Sequence, residues 1–382
     1  MDLMRQQGER FARVPFLRGN QVELLQDGPA SFAALAEAIR SARTRIDMES
    51  YEFDDEAGGQ FSDILLAAHG RGVEVNLIYD AWGAAETSKA LFERLRQGGV
   101  RVVEFNPLTR APLDVNRRDH RKLLCVDGRL AITGGVNISR VYQNAPGGPT
   151  DNPERAAWRD TDVRIEGPVV AQFERYFMET WRQQNGPALA DPPPPPDLVG
   201  PTTVQAIDGA PDNGEPLIYR TLLASTTLAQ RSIHLTTGFF VPTPDLANAL
   251  EAAARRGVDV QVVVPGQSDS TAAVDAGRAQ YTRLLRAGVH IHERQGRILH
   301  AKTAVIDGAW SAVGSSNLDW RSTVWNNEID AIVLGPEFGA QMERAFQADV
   351  AASRTIDLTA WRERGLGERL REWKAGLVEK LL

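Results

Sequence analysis

The chain has 382 residues, of which 42% are hydrophobic and 24% are charged, so its composition is that of a globular protein. This excludes a disordered, collagen-like or coiled-coil protein, and at about 100–200 residues per domain the length predicts two domains or one duplicated domain. One cysteine excludes a disulfide framework, and the formal net charge of −7 gives no overall signal for nucleic acid or for an anionic membrane.

In chain order, the pattern predicts alternating helices and strands. The predicted helices are residues 31–41, 87–97, 244–256 and 272–286, and the predicted strands are residues 73–79, 123–126, 258–264 and 303–306. We expect Ser31 to cap the first helix, and Gly98, Gly257 and Gly288 to follow helix ends. Such alternation is typical of an α/β fold.

Five consecutive prolines, residues 192–196, can form neither a helix nor a central strand, because proline has a fixed φ and no amide donor. We therefore expect a Pro-rich linker at residues 191–200, between an N-terminal domain at 1–190 and a C-terminal domain at 201–382. The second domain ends in an amphipathic segment, which is expected to dock on the body or to lie on a membrane surface. Its apolar residues are Trp361, Leu366, Leu370, Trp373, Leu377 and Leu381.

The two halves repeat each other. An Arg-Gly-Val pattern with an apolar run begins at Arg71 and again at Arg256, and a Gly-Val pattern at residues 97–102 recurs at 286–291. The offsets are 185 and 189 residues, and a third block recurs at an offset of 180. Three matches in the same order indicate a duplication, so we expect two similar α/β domains related by a pseudo-twofold axis.

The third block carries the chemistry. It contains, in order, His120, Lys122, Asp127 and Asn137, and then His300, Lys302, Asp307 and Asn317. In both copies the lysine lies two, the aspartate seven and the asparagine seventeen residues after the histidine. The two copies hold two of the five lysines and two of the six histidines of the chain, so a pair of purely structural histidines is a poor explanation.

Residues two apart on a strand share a face, so each histidine and its lysine point the same way. This pair suits a phosphate, because the ammonium offsets the charge of the anion while the imidazole attacks or donates a proton. The Gly-rich turn before each asparagine brings backbone and amide groups close to oxygen atoms. Across a pseudo-twofold axis, one histidine can act as nucleophile and the other as general acid.

The double His-x-Lys-x4-Asp motif, with a Gly-rich turn and an asparagine after each copy, resembles the phospholipase D superfamily. Segments outside the motif are similar, more narrowly, to the bacterial cardiolipin synthases: residues 49–55, 158–167, 237–242, 317–322 and 327–328. The resemblance covers most of the chain. It implies two phospholipase D-like α/β domains with the active site between them.

The resemblance also implies a reaction. One motif histidine would form a covalent phosphohistidine with a phosphatidyl group, and the other would protonate the departing alcohol. We assign His120 as the nucleophile and His300 as the acid, and the symmetric sequence leaves the reverse assignment open.

Further roles are carried over by position. Asn137 and Asn317 would bind phosphate together with the two lysines. Asp160 and Glu328 match the acidic positions that orient the histidines. Asp127 and Asp307 belong to the catalytic motif, although such aspartates more often support the fold than touch substrate. No metal or other cofactor is implied, because lysines and amides stand where a cation would otherwise be.

Four functions remain open. They are phosphatidyl transfer between two phosphatidylglycerols, hydrolysis to phosphatidic acid, cleavage of nucleic acid, and non-catalytic lipid binding. The negative net charge and the lack of a patch of basic and aromatic residues argue against a nucleic-acid substrate. The presence of two complete motifs argues against a site that has lost its catalytic residues. The family's transmembrane helices are not found, and residues 138–142 and Asp162 deviate from its pattern, which leaves the acceptor open.

The expected partners are a phosphatidylglycerol-like phospholipid and a membrane surface. No run of about 20 apolar residues and no secretory signal is found, so we expect a cytoplasmic protein bound peripherally at the inner face of the membrane. Candidate contacts are Trp82, Phe239, Phe240 and the C-terminal segment. Trp310 and Trp320 flank the second motif, as core residues or as the wall of an acyl-chain groove. The oligomeric state is left open, and activity as a monomer is possible because one chain holds both half-sites.

Overall fold

The structure is a computed structural model that describes residues 2–107, 116–143, 157–191, 197–210, 216–268 and 270–377. The linker prolines at 192–196 and Leu381 lie outside the described residues, as do the side chains of Leu366, Leu370, Trp373 and Leu377. The division into domains at residues 191–200 therefore stays a prediction.

Within the described residues, fifteen strands form one continuous sheet. The strands of the first half are β1 (Leu17–Gln26), β2 (Arg45–Ser50), β3 (Glu74–Asp80), β4 (Arg101–Phe105), β5 (Lys122–Val126), β6 (Leu130–Gly134) and β7 (Thr161–Glu166). Those of the second half are β8 (Thr202–Asp208), β9 (Ser232–Thr237), β10 (Asp259–Pro265), β11 (His290–Arg294), β12 (Lys302–Ile306), β13 (Trp310–Gly314), β14 (Ile329–Leu334) and β15 (Ser353–Thr355).

Helices cover this sheet. Those of the first half are α1 (Asp2–Ala12), α2 (Asp27–Ser41), α3 (Ala57–Gly70), α4 (Lys89–Gln97), the short 3-10 helix Arg140–Tyr142, and α5 (Val170–Gln183). Those of the second half are α6 (Leu217–Leu228), α7 (Pro244–Arg255), α8 (Thr271–Ala287), α9 (Trp320–Val324), α10 (Pro336–Ala351), α11 (Leu358–Arg362) and α12 (Leu366–Leu377).

The order of the strands shows the duplication. From the centre outwards, the first half runs β1-β7-β6-β5-β2-β3-β4 and the second runs β8-β14-β13-β12-β9-β10-β11, with β15 added at the edge. Each strand thus has a counterpart seven positions later. In both halves the outer three of these strands are parallel and the inner pairs are antiparallel. The predicted α/β fold with two similar halves is confirmed.

Three large apolar clusters hold the described part of the fold together. One lies within the first half, one lies in the second half and takes in Phe16 and other residues near the N-terminus, and the third joins the halves. The joining cluster includes Leu123 and Val163 of the first half and Val305 and Val313 of the second. Strands β5, β6 and β13 are buried along their whole length, as expected when both faces of a sheet are covered.

Two helix ends differ from the prediction. Helix α2 begins at Asp27 rather than at Ser31, because Pro29 lies in the first turn, where a missing N–H costs nothing. Ser31 is therefore buried inside the helix. After α4, the positive φ falls on Gly99 (94°) and not on Gly98 (−80°), whereas Gly257 and Gly288 have the expected positive φ.

The structure shows where two of the predicted membrane contacts lie. Phe240 is buried in the core of the second half, so its prediction as a membrane contact is wrong. The C-terminal segment forms two helices, and Trp361 on the first is packed against Tyr281 with ring centroids 5.0 Å apart. None of the described helices has both the length and the apolar character needed to span a bilayer.

Candidate active site

The two motif histidines lie next to each other where the halves meet. The ring centroids of His120 and His300 are 6.4 Å apart, and both side chains are buried. The backbone N–H of His120 donates to the carbonyl of Asn327 at 2.9 Å, and that of His300 donates to the carbonyl of Arg159 at 2.8 Å. A residue of the other half thus holds each histidine in place just before its strand.

The acidic residues predicted beside the histidines contact them across the same interface. Nδ1 of His120 lies 3.0 Å from the carboxylate of Glu328, and Nδ1 of His300 lies 2.7 Å from that of Asp160. A carboxylate at this position keeps the proton on Nδ1, because Nδ1–H then donates to it. Nε2 is left with a free lone pair, which is the atom available to attack or to carry a proton.

Both motif lysines point to the site from the first position of their strands. The ammonium of Lys122 donates to the backbone carbonyl of His120 at 2.6 Å, and that of Lys302 donates to the carbonyl of His300. Burial lowers the pKa of Lys122 to about 8; the charge of Glu328 opposes this lowering, and the charge of Lys302 adds to it. Two buried ammonium groups beside neutral imidazoles make a site that favours an anion.

The surroundings of the two histidines differ. Burial lowers the pKa of His120 well below its ordinary value, and the charges of Lys122 and Lys302 lower it further. Burial and Lys302 also lower the pKa of His300, but the charge of Asp160 opposes them. His120 is therefore held neutral more firmly, whereas His300 has a partner that favours its protonated form.

The carboxylates beside the two histidines also differ in the direction of their pKa shifts. Burial acts to raise the pKa of Asp160, but the charges of His300 and Lys302 outweigh it, and the pKa falls below the ordinary value. Burial raises the pKa of Glu328, and Lys122 and hydrogen bonds such as that from Ser315 only reduce this rise. An ionised Asp160 is the better support for a histidine that must hold a proton.

The predicted phosphate-binding asparagines are both buried near the histidines' strands. Asn137 follows β6 and accepts from the backbone N–H of Glu52 at 3.4 Å, while its amide nitrogen has no hydrogen-bond partner among the described residues. Asn317 follows β13 and lines a pocket together with Lys302, and its amide oxygen likewise has no partner within the described part of the chain. Buried polar atoms without a partner are costly, so these are positions where a bound ligand is expected.

The two motif aspartates do not reach the site, so their place in the catalytic set is corrected. Asp127 and Asp307 follow the far ends of β5 and β12, about 16 Å from the lysines at about 3.3 Å per residue. The carboxylate of Asp127 accepts from the backbone N–H groups of Arg43, Thr44 and Arg45 at 2.8–2.9 Å.

Asp307 makes the equivalent contacts with the segment that leads into β9. Its carboxylate accepts from the backbone N–H groups of Gln230, Arg231 and Ser232. Both aspartates have positive φ, 54° for Asp127 and 53° for Asp307, in the turns that join β5 to β6 and β12 to β13. Each therefore ties its hairpin to the start of the neighbouring strand.

Sequence reasoning missed three aromatic residues around the histidines. The hydroxyl of Tyr142 lies 2.8 Å from Nδ1 of His300 and donates to the carboxylate of Asp160 at 3.1 Å. The ring of Trp158 lies 5.2 Å from that of His300, and the ring of Tyr51 lies 5.0 Å from that of His120. The only signal for Tyr142 in the sequence is that it falls in the segment that deviates from the family pattern.

The fold and the position of the motifs define the class of this protein. The likeness of the whole chain to the phosphatidylserine synthase of Haemophilus influenzae Rd KW20 has a TM-score of 0.73, at 15% identity and with both chains fully covered. The polyphosphate kinase of Porphyromonas gingivalis matches 86% of this chain and 50% of its own, with a TM-score of 0.55 and 13% identity. At these identities the likeness is one of fold, and together with the duplicated motif it is that of the phospholipase D superfamily.

Comparison of sequences names the family within that class. The family described as "Cardiolipin synthase, PLD-like domain" matches residues 35–181 and 222–350, one match in each half. The cardiolipin synthase of Geobacillus kaustophilus is 32% identical over 98% of this chain and 74% of its own length. Cardiolipin synthase A of Pectobacterium carotovorum is 34% identical over 95% of this chain and 76% of its own.

A third relative, the probable cardiolipin synthase YwiE of Bacillus subtilis, is 31% identical over 98% of this chain and 74% of its own length. The chain therefore belongs to the cardiolipin synthase family, and it is an enzyme of the phospholipase D superfamily. The resemblance drawn from the motifs is confirmed.

Proposed function

We propose that this enzyme transfers a phosphatidyl group from one phosphatidylglycerol to a second, forming cardiolipin and releasing glycerol. The observation that carries the proposal is the pair of histidines 6.4 Å apart, each backed by a carboxylate of the other half. The names of the relatives supply the phospholipid substrate class, since three of them are cardiolipin synthases.

In the first step, Nε2 of His120 attacks the phosphorus of the donor lipid. The bond between phosphorus and the oxygen of the glycerol head group breaks. Nε2–H of His300 gives its proton to that oxygen, so glycerol leaves. In the second step, a hydroxyl of the acceptor lipid attacks the same phosphorus while His300 takes the proton back. The phosphorus–nitrogen bond then breaks and His120 returns to its neutral form.

The differences between the two histidines support this assignment. A nucleophile must be neutral, and the pKa of His120 is the more strongly lowered of the two, mainly by burial. A general acid must hold a proton, and Asp160 opposes the lowering of the pKa of His300. The negative charge of a bound phosphodiester adds to the effect of Asp160, because an opposite charge favours the protonated form.

The lysines and asparagines would bind the phosphate oxygens. Lys122 and Lys302 bring two positive charges to the place where negative charge grows during the attack. Asn137 and Asn317 add buried amide groups that lack a partner among the described residues. These groups supply the charge that a metal ion supplies in other phosphodiester sites.

Two exposed tryptophans support a peripheral contact with a membrane surface, which we place at the inner face. Trp82 is 55% exposed and Trp325 is 43% exposed. Trp82 donates its backbone N–H to Asp80, which also accepts from Asp119, next to His120. Trp325 lies near the same site, because Asn327, two residues further on, pairs with Asp119. Indole rings suit the interface between lipid and water.

The test is analysis of the products formed from phosphatidylglycerol vesicles. We expect cardiolipin and glycerol from the unmodified enzyme, no product from His120→Ala, and full activity in the presence of a chelator. His290→Ala, a change at an exposed histidine of β11, is the control. Phosphatidic acid as the sole lipid product would keep the site but make water the acceptor. No turnover of any phospholipid would contradict the proposal.

A further inference from the structure

Two carboxyl groups are buried against each other behind His120, on the face of the sheet that points away from the site. Glu49 lies on β2, Asp119 immediately precedes His120, and both are almost fully buried. Side chains alternate between the faces of a strand, so Glu49 points away from the site while its neighbour Ser50 is paired with Lys122. The carboxyl groups of Glu49 and Asp119 lie within hydrogen-bonding distance of each other.

This carboxyl pair has no ordinary hydrogen-bond donor. All four of its oxygen atoms are without a partner among the described residues. Two polar neighbours of Glu49 are engaged elsewhere: the guanidinium of Arg121, 3.6 Å away, donates to Asp208, and the hydroxyl of Thr180 donates to the carbonyl of Tyr176 at 3.2 Å. Buried carboxylate oxygens without a donor are costly, so the pair itself must supply one.

A proton held between the two carboxyl groups supplies that donor. Two carboxylates are both acceptors, and they can hydrogen-bond to each other only when one of them is protonated. Burial raises the pKa of Glu49 well above its ordinary value, and the charge of Asp119 adds to this rise. Burial also raises the pKa of Asp119, although the charge of Arg121 opposes it. The other arginine of this region, Arg118, lies 3.5 Å from Asp80.

The second half has no such pair behind its histidine. In the register of the strands, Thr236 takes the place of Glu49, and Leu299, which immediately precedes His300, takes the place of Asp119. Leu299 belongs to a small apolar cluster. The fold therefore does not require acidic residues at these positions. Since buried carboxyl groups are costly, their presence indicates a need of the half that carries the other histidine.

The carboxyl pair is connected to the position of His120. Asp119 forms a bridge with Asn327, and the backbone N–H of His120 donates to the carbonyl of Asn327 at 2.9 Å. This short segment places Nδ1 of His120 at 3.0 Å from Glu328. A shared proton turns the repulsion between two buried negative charges into an attraction, which ties the segment to β2 through Glu49. Loss of this tie would let the imidazole move relative to its carboxylate.

We propose that Glu49 and Asp119 share one proton and act together as positioning residues for His120, holding its ring against Glu328. Neither residue touches the substrate. The inference rests on the proposed role of His120 as the nucleophile and adds to it a reason why the two halves differ behind their histidines. Such support is needed because a catalytic group must be held within about 0.5 Å of its productive position.

The first test compares two variants of Glu49. Glu49→Gln keeps a donor towards Asp119 and needs no proton, whereas Glu49→Ala removes the contact. Turnover is measured on phosphatidylglycerol and on bis(p-nitrophenyl) phosphate, a diester without acyl chains. We expect Glu49→Ala to lower kcat about tenfold or more on both substrates, because the nucleophile serves both and a shift of about 1 Å can cost about a hundredfold. Glu49→Gln should stay close to the unmodified enzyme.

The control is Thr236→Ala, the matched position behind His300, which is expected to leave both rates unchanged. Thermal unfolding of all variants separates a loss of turnover from a loss of the folded state. A purely structural role would lower stability without the difference between the alanine and the glutamine variant. Equal losses of kcat in folded Glu49→Ala and Glu49→Gln would overturn the proposal.

The second test needs no turnover and uses only the glutamine variant, which keeps the hydrogen bond. Infrared spectra are recorded at about pH 8, where an ordinary carboxyl group is ionised. We expect the unmodified enzyme to show the C=O stretch of a protonated carboxylic acid and Glu49→Gln to lack it. Identical spectra in this region would show that Glu49 and Asp119 hold no proton, and would overturn the proposal.

The two tests separate this inference from the proposed function. If no cardiolipin is formed, but the infrared difference and the rescue of bis(p-nitrophenyl) phosphate turnover by Glu49→Gln are seen, the transfer reaction is contradicted and the carboxyl pair is kept. If cardiolipin is formed but the infrared difference is absent, the reaction is kept and the shared proton is overturned.

Discussion

Asp160 accepts a hydrogen bond of 2.7 Å from Nδ1 of His300, although the two residues are 140 positions apart and belong to different halves of the chain. Glu328 stands in the equivalent relationship to His120, at 3.0 Å. Neither half therefore holds a histidine together with its own carboxylate. The interface between the halves is part of the catalytic geometry, and a change at one carboxylate should be felt by a single histidine.

Replacing each of the two carboxylates by an amide should distinguish the role of His120 from that of His300. Glu328→Gln should slow every substrate, on the order of a hundredfold or more, because a neutral partner no longer keeps the proton of His120 on Nδ1. Asp160→Asn should slow release of glycerol from phosphatidylglycerol more than release of p-nitrophenol from bis(p-nitrophenyl) phosphate, since nitrophenolate leaves without an acid. The measurement is the rate of release of each alcohol. The opposite pattern would reverse the assignment of His120 and His300.

Tyr142 should act as a positioning residue for His300. Removal of its hydroxyl in Tyr142→Phe takes away the bond to Asp160, and a hydrogen bond to a charged group is worth about 1.5–3 kcal/mol. We expect a loss of about tenfold with glycerol as leaving group and a much smaller loss with nitrophenol. Tyr176→Phe, which removes a buried hydroxyl that donates to Ala206 away from the site, is the control. Equal losses with both leaving groups would point to a structural role only.

Asp127 should matter for stability and not for chemistry. In Asp127→Ala, three backbone N–H groups of the segment before β2 lose their acceptor, and we expect a loss of about 1–3 kcal/mol in the free energy of unfolding. Below the melting transition, kcat/KM should stay within about twofold of the unmodified enzyme, because the carboxylate lies far from the histidines. A loss of activity without a loss of stability would return Asp127 to the site.

The stability effect of Asp127 should also depend on pH. Burial acts to raise the pKa of its carboxylate, but the hydrogen bonds from Arg45, Thr44 and Arg43 outweigh this and lower it. A lowered pKa in the folded state means that the stabilisation is present above the ordinary pKa of an aspartate and is lost as the pH falls through the folded value. The difference in melting temperature between the unmodified enzyme and Asp127→Ala should therefore shrink in acid. A difference that stays constant would contradict this.

Lys122 should set the alkaline limit of activity. Its pKa is lowered to about 8, first by burial and then by Lys302, so the free enzyme loses this positive charge as the pH rises through about 8. We expect kcat/KM, which reports the free enzyme, to fall above this pH. The alkaline fall in kcat should occur at higher pH than the fall in kcat/KM, because a bound phosphodiester favours the charged lysine. Limbs at the same pH in both parameters would contradict the role of Lys122 in binding phosphate.

Local patterns in the sequence predict the part of the site that each strand carries by itself. The two-residue spacing of His120 and Lys122 on β5 is enough to place both on one face, and the repeat places His300 and Lys302 likewise. Which carboxylate meets which histidine depends on how the halves pack, and no local pattern records that. Tyr142 reaches His300 from a short helix of the other half, so it escaped notice for the same reason.

The two halves also differ in a way that needs both sequence and structure. The alanines at 304 and 312 and the larger residues at 124 and 132 can be read in the sequence, but only the register shows that each pair faces the other across a hairpin. The motif aspartates show that a fixed spacing does not identify a role. Asp127 and Asp307 lie at a constant distance in sequence from the histidines, but they stabilise the hairpins and do not reach the site.

The central claim is that the phosphatidyl group is held on His120 between the two steps. The most direct measurement is mass spectrometry of peptides from His300→Ala after rapid mixing with a phosphatidyl p-nitrophenol, whose leaving group needs no acid. Without His300 to activate the acceptor, the intermediate should accumulate, and the phosphatidyl group should be found on the peptide that contains His120. His120→Ala under the same conditions should carry no label. A label on His300 in the His120→Ala enzyme, with none on His120 in the His300→Ala enzyme, would contradict the account.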